Sequence, residues 1–219
     1  MDLRPEHGQS RYQYQIMNII RDITNLKLHH TVVTLGKFDG SHIGHQLLFE
    51  TAVKLKPSDG TAVIFTFDIH PEKILREMDG AESSVLKPEQ LRMIQTNLEK
   101  EHCNYPKGID YLIEYPFNAA TREMEPEQFV QEILVKHLGV SAIVCGDDFR
   151  FGKDRKGTVD TLRTMGERYG FQVHVMDKVT ITLPGENIPR QISSTLIKEE
   201  IRKKRTEKSS LRKRNAAQE

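Results

Sequence analysis

Cysteine is scarce in this chain. Its 219 residues contain two, Cys103 and Cys145, in neither Cys-x-x-Cys nor zinc-like spacing. That excludes a disulfide framework and a zinc ribbon, and it makes a reducing, cytoplasmic compartment the expectation. Net charge is also missing: 32 basic residues against 31 acidic ones leave +1, so bulk electrostatics gives no reason to expect a nucleic-acid partner or a membrane surface. No apolar run approaches the roughly 18 residues of a membrane span, the polar stretch from Met1 to Gln15 has no signal-peptide core, and no internal repeat is visible. What charge asymmetry there is lies at the end, where basic residues dominate from Lys198 to Arg214 after a slightly acidic body.

What remains is an ordinary globular composition, 37% hydrophobic and 29% charged, long enough for one sizeable core. The most informative stretch is Gly36-Lys37-Phe38-Asp39-Gly40-Ser41-His42-Ile43-Gly44-His45. The apolar, β-branched run Thr31–Leu35 before it reads as a buried strand, and Gln46–Val53 after it reads as a helix. Strand, glycine-rich turn and helix in this order make a phosphate cradle. Glycines 36, 40 and 44 are expected to let the backbone turn sharply and approach a ligand, with free amides at the helix start facing an anion. His42 and His45, one helical turn apart, are expected to point the same way and to meet charge that grows on a phosphate under attack. A metal site built from the pair with Asp39, Asp68 or His70 is the rival reading. It ranks lower because metal binding needs fixed side chains rather than exposed amides; no metal ligand is assigned.

Along the chain, Ile16–Ile20 reads as an edge strand and Asp22–Leu28 as a turn or short helix. Strands are expected at Thr61–Phe67, Ile109–Tyr115, Val140–Cys145 and Phe171–Met176. Helices are expected from Lys87-Pro88, from Pro126 with Phe129, Val130, Ile133, Leu134 and Leu138 buried and Gly139 at the end, and over Val159–Tyr169. Val179–Leu183 reads as one more strand, Pro184–Asn187 as a turn, and Ser193-Ser194-Thr195 as a cap before a helix over Leu196–Lys204. This alternation predicts an α/β fold, a parallel sheet with helices on both faces. Three segments follow: a polar extension over 1–16, a domain over 17–205, and a basic, disordered tail over 206–219.

Gly152–Thr158 comes close to a Walker A loop but lacks the lysine before its hydroxyl residue. It reads instead as a mobile basic flap or an ordinary solvated loop. Cys145, at the end of a buried strand, reads as core rather than catalytic. Cys103 beside His102 is too isolated to suggest a thiol nucleophile.

The string Gly-x-Phe-Asp-Gly-x-His-x-Gly-His resembles the signature of the nucleotidylyltransferase superfamily, in particular its FMN adenylyltransferase branch, the FAD-synthesising module of bacterial riboflavin kinase/FAD synthetases. Three further stretches follow in that family's order. Phe65–Pro71 resembles Thr-Phe-x-Pro-His-Pro, Gly146–Gly152 resembles Gly-x-Asp-Phe-x-Phe-Gly, and Ile192–Lys198 resembles Ile-Ser-Ser-Thr-x-Ile-Arg. The resemblance covers roughly Met17 to Arg205 and implies a Rossmann-like nucleotidylyltransferase fold. It implies ATP, with Mg²⁺ carried on the nucleotide, and FMN as substrates, and FAD as product. By position, His42, His45 and Lys198 become the catalytic set. Gly36, Phe38, Asp39, Gly40, Gly44, Ser193, Ser194 and Thr195 fall on the ATP side, and Phe67, Asp68, His70, Pro71, Asp148, Phe149 and Phe151 on the flavin side, with aromatics to stack on the isoalloxazine.

Two positions depart from the pattern. Lys198 stands where the family has arginine; exchanging a two-pronged guanidinium for an ammonium costs on the order of 1 to 3 kcal/mol of transition-state contact. Ile69 replaces the first proline of Pro-His-Pro. Only about twenty residues follow Lys198, too few for the riboflavin kinase module; the alternatives are a stand-alone adenylyltransferase and a shortened chain, and the polar character of this end favours the first. Alternatives are transfer to another phosphate acceptor, such as nicotinamide mononucleotide, phosphopantetheine or a cytidylyl reaction, and a non-catalytic flavin- or nucleotide-binding protein.

Overall fold

The computed structural model describes residues 17–38, 42–68, 105–182, 187–193 and 196–197. Six strands, β1 (Asn18–Ile20), β2 (Thr31–Leu35), β3 (Thr61–Phe67), β4 (Tyr111–Tyr115), β5 (Val140–Gly146) and β6 (Gln172–Met176), pair in parallel in the order β1-β4-β3-β2-β5-β6. All five residues of β2 are buried, and β3 is buried over its five inner positions. Parallel strands covered on both sides need apolar residues at every position, which Val32-Val33 and Val63-Ile64-Phe65 supply.

Alternate side chains feed two layers. Toward α1 (Ile43–Leu55) lie Val32, Ala62, Ile64, Leu112, Ala142 and Val144, packed with Phe49 and Ala52 of that helix. Toward the other face lie Val33, Leu35, Val63, Phe65, Ile113, Ile143 and Cys145. These pack with α4 (Val159–Tyr169) and with a helix that begins as α3 (Pro126–Gln128) and continues in π geometry over Phe129–His137. The structure is therefore the expected α/β architecture with helices on both faces. The helix from Pro126 differs from expectation in its wider winding, with Leu138 donating to the carbonyl of Ile133. Bonding from i to i+5 brings Phe129 over Leu134 and Ile133 over Leu138, so all four still reach the core. Gly139 ends it at φ 53°, and a Cβ there would come within 2.2 Å of the Leu28 carbonyl oxygen.

α2 (Ala119–Glu123) is a short turn capped by Asn118. The segment expected as one strand from Val179 is shorter: β7 (Thr180–Ile181) pairs antiparallel with β8 (Arg190–Gln191), apart from the main sheet. The stretch 22–28 is a turn, with Thr24 donating its amide to Asp22. The extension 1–16, the helix expected from Lys87 and the tail beyond 205 lie outside the described residues.

Candidate functional site

In a doubly wound sheet, ligands collect beyond the carboxyl ends of the strands where the strand order reverses. Here the reversal lies between β2 and β5, which adjoin in the sheet although β3 and β4 intervene in the chain. Gly36 follows β2 and Asp147 follows β5 at that edge, so the two longest motifs begin on the same side of the sheet, at the carboxyl ends of adjacent strands.

The cradle is held from both sides. Thr66 of β3 donates its hydroxyl to the Lys37 carbonyl at 3.0 Å. At the other end His42 caps α1, its Nδ1 accepting from the His45 amide at 3.4 Å, and that amide also bonds the His42 carbonyl at 2.8 Å. One of the amides expected to face an anion is thus used within the turn. The paired orientation of the histidines is as expected: the rings stack at 3.6 Å with 27° between their planes. Gly36 and Gly44 also make room inside the loop. Neither Gly36 nor Gly44 takes a positive φ; instead each leaves room for a ring of its own loop. A Cβ on Gly44 would come within 3.2 Å of His42 Nδ1, and one on Gly36 within 2.7 Å of the Phe38 ring. Phe38 itself is 5% exposed and lies in the core rather than lining the crevice.

On the β3 side, Phe67 is half-buried with its edge against Phe117, and Asp68 accepts from the Phe117 amide at 3.0 Å. Asp68 therefore ties the ends of β3 and β4 together. On the β5 side, Phe149 is half-buried and stacks on Phe151 at 5.8 Å and 15°. Phe151 is 8% exposed and packs on Phe129, so it serves as the floor beneath Phe149. Asp148 pairs with Lys178 at 3.1 Å; this bond, with Asp147 beyond it, holds the lysine's pKa above its ordinary value. A cavity of about 330 Å³ opens beside them, lined by Asp147, Arg150, Thr158 and Arg163 among others.

The loop read as a basic flap or a solvated loop is closed on itself. Phe151 and Gly157 pair as a bridge, the Lys153 amide donates to the Met124 carbonyl, and Lys153 Nζ meets Glu123 at 2.7 Å. Ser193 is a helix cap as expected, its hydroxyl accepting from the Leu196 amide at 3.2 Å. Cys145 is fully buried, and burial pushes its thiol up to about 12, which removes the thiolate a nucleophile needs. Asp39, Gly40, His70, Pro71, Ser194, Thr195 and Lys198 lie outside the described residues.

The family model for FAD synthetase aligns with residues 24–195. The chain belongs to the FAD synthetase family. Among curated relatives, an FAD synthetase of Listeria monocytogenes serovar 1/2a is 34% identical over 172 residues, covering 78% of this chain and 63% of its own. A bifunctional riboflavin kinase/FMN adenylyltransferase of Buchnera aphidicola subsp. Schizaphis graminum is 32% identical over 72% of this chain and 48% of its own length. The chain thus spans between about half and two thirds of these two relatives. The crystal structure of a macrolide-efflux protein from Streptococcus pneumoniae superposes with a TM-score of 0.63 at 27% identity, over 83% of this chain and 54% of that one. Among the described residues, no helix is long and apolar enough to cross a membrane.

Two groups escaped the sequence reading. Lys178 lies two residues past the end of β6, where the same end-of-strand rule that singled out Asp68 applies. Glu114 is fully buried in β4 and pairs with Arg21 at 2.9 Å. An acidic residue in a strand covered on both faces must be buried and paired, so the run Tyr-Leu-Ile-Glu-Tyr already contained that signal. Arg21 also borders a cavity of about 290 Å³ with Tyr115, Asn118 and His137.

Proposed function

We propose that this chain is an FMN adenylyltransferase, making FAD and pyrophosphate from ATP and FMN. The observation that carries the reading is the stacked His42/His45 pair at the start of α1, the helix that follows β2 where β2 adjoins β5 at the reversal point of the sheet. In the reaction, a phosphate oxygen of FMN forms a bond to the α-phosphorus of ATP while the bond from that phosphorus to the bridging oxygen breaks. Pyrophosphate leaves with the electron pair. No covalent enzyme intermediate is needed, so the protein's contribution is orientation plus stabilisation of charge on the α-phosphate.

His42 and His45 supply donors to that charge. Lys198, with Ser193, Ser194 and Thr195, grips the phosphates that depart. Asp39, Gly40 and Gly44 shape the ATP side. Phe67, Asp68, His70, Pro71 and Asp148 line the flavin side, with Phe149 offering a face and Phe151 supporting it. The Mg²⁺ of this reaction is carried mainly by nucleotide phosphates and water. When bound, that ion neutralises phosphate charge. The low cysteine content suits a cytoplasmic site of action.

The test supplies the purified protein with ATP, Mg²⁺ and FMN, and reads pyrophosphate release and FAD formation, with riboflavin and nicotinamide mononucleotide as parallel acceptors. FAD from FMN with no product from the others is expected. Silence with FMN from a folded protein that still binds ATP or flavin overturns the reading.

A further inference from the structure

Phe38 has a backbone that bulky residues seldom adopt. Its φ of 42° lies in the left-handed region, where a non-glycine residue persists only if its surroundings demand it. The demand here is visible in where the ring goes. It turns inward to 5% exposure and packs edge to face with Phe49 at 4.9 Å and with His45 at 5.1 Å, the latter at 87° between planes. It also fills the space over Gly36 that a Cβ would occupy, 2.7 Å from two of its ring carbons. His45 thus has a perpendicular neighbour in Phe38 and a near-parallel one in His42 at 3.6 Å, while Phe49, one turn further along α1, lies 6.4 Å away.

An imidazole in the first turn of a helix has more than one staggered rotamer open to it. The one adopted here stacks on His42. Packing between rings selects it, because aromatic pairs prefer defined offset or perpendicular geometries and buried rings have little room to turn.

We propose that Phe38 is a positioning residue for His45: its buried ring, seated on Gly36 and Phe49, locks the second histidine against the first. Gly36 is then glycine to accommodate that ring, not to bring backbone close to a nucleotide. The proposal rests on reading His45 as the group that meets phosphate charge. It differs from that reading in placing Phe38 and Gly36 behind the histidine and out of contact with ATP.

The experiment uses the full chain and four forms: wild type, Phe38→Leu, Gly36→Ala, and the double variant. Turnover with ATP and FMN is measured together with the imidazole nitrogen and proton resonances of His45 in the substrate-free protein. In Phe38→Leu we expect the His45 resonances to move and kcat to fall about tenfold, with KM for ATP within about twofold, since an interaction realised in the transition state is weakened rather than ground-state binding. Gly36→Ala displaces the same ring, so it reproduces both effects. The double variant is no worse than Phe38→Leu alone, because residues acting through one contact are not additive. Additive losses, or a raised KM with kcat unchanged, overturn the proposal and return both residues to the ATP surface. If wild type forms no FAD, the functional reading fails, and the resonances still decide the positioning claim: unmoved His45 signals in Phe38→Leu sink it. Should Phe38→Leu lose its fold by circular dichroism, Gly36→Ala, which removes no core atom, carries the same resonance test.

Discussion

The two motif loops differ in what holds their margins. The loop after β2 is fixed by packing: Phe38, His45, Phe49 and His42 touch ring to ring, with two glycines making room. The loop after β5 rests on two ring contacts, Phe149 on Phe151 and Phe151 on Phe129, and is closed by the Phe151–Gly157 bridge, but its margins add exposed ion pairs, Lys178 to Asp148 and Lys153 to Glu123. Packing is short-ranged and indifferent to salt, whereas exposed ion pairs weaken as ions screen them. The two histidine rings are therefore held by contacts that salt does not screen.

Mutations can sharpen or break this contrast. The largest effect is expected in the cradle: His45→Ala lowers kcat for FAD formation at least tenfold, toward the roughly hundred- to thousandfold loss seen when one preorganised donor to transition-state charge is removed, while FMN binding by fluorescence is retained. Unchanged turnover means the pair has another role. Next comes the backbone of the second loop. Gly152 has φ 69° and ψ −177°, and a Cβ there would come within 2.8 Å of Pro126. Gly152→Ala is therefore expected to cost about 1 to 3 kcal/mol of stability in denaturant unfolding; a loss of a few tenths would show that the loop is less constrained than its geometry states.

Smaller still is the pair at the margin. Lys178→Met removes an exposed contact worth under about 1 kcal/mol after screening, and raising salt should shrink its effect further, unlike that of any cradle substitution. The sign of its pH dependence follows from the direction of the shift. The Lys178 pKa is raised in the fold, so its contribution is present below the ordinary value of 10.5 and is lost as pH climbs through the raised one. Wild type and Lys178→Met should accordingly converge in stability above that range. The smallest expected signal is none at all: with Cys103→Ser, the remaining Cys145, its thiol near 12 by burial, should stay unlabelled by Ellman's reagent at pH 8 until the protein unfolds.

Much of this was written locally. β2 and β3 announce themselves as apolar runs because a parallel strand covered on both faces tolerates little else. Val159–Tyr169 is bounded by Thr158, which caps through Thr161, and by Gly170 at φ 80°, both local chemistry. The order of the four motifs was equally legible and carried the family. The inward turn of Phe38 was not, because composition cannot say whether an aromatic in a glycine-rich loop faces a ligand or the core. Nor was the role of Gly36, since a glycine needed for space and one needed for a positive φ are spelled alike. Phe151 was assigned to the flavin by its motif, yet its ring packs on Phe129 of another helix.

The sequence by itself determined the alternation of strands and helices, the crevice edge on which the motifs fall, and the family, because each follows from short-range patterns of polarity and turn chemistry. The tertiary structure alone decided which rings turn inward and that Lys178 reaches Asp148. It also decided that the helix after Pro126 winds in π geometry. Those outcomes depend on surfaces brought together from distant parts of the chain, where close packing leaves a side chain one place to go.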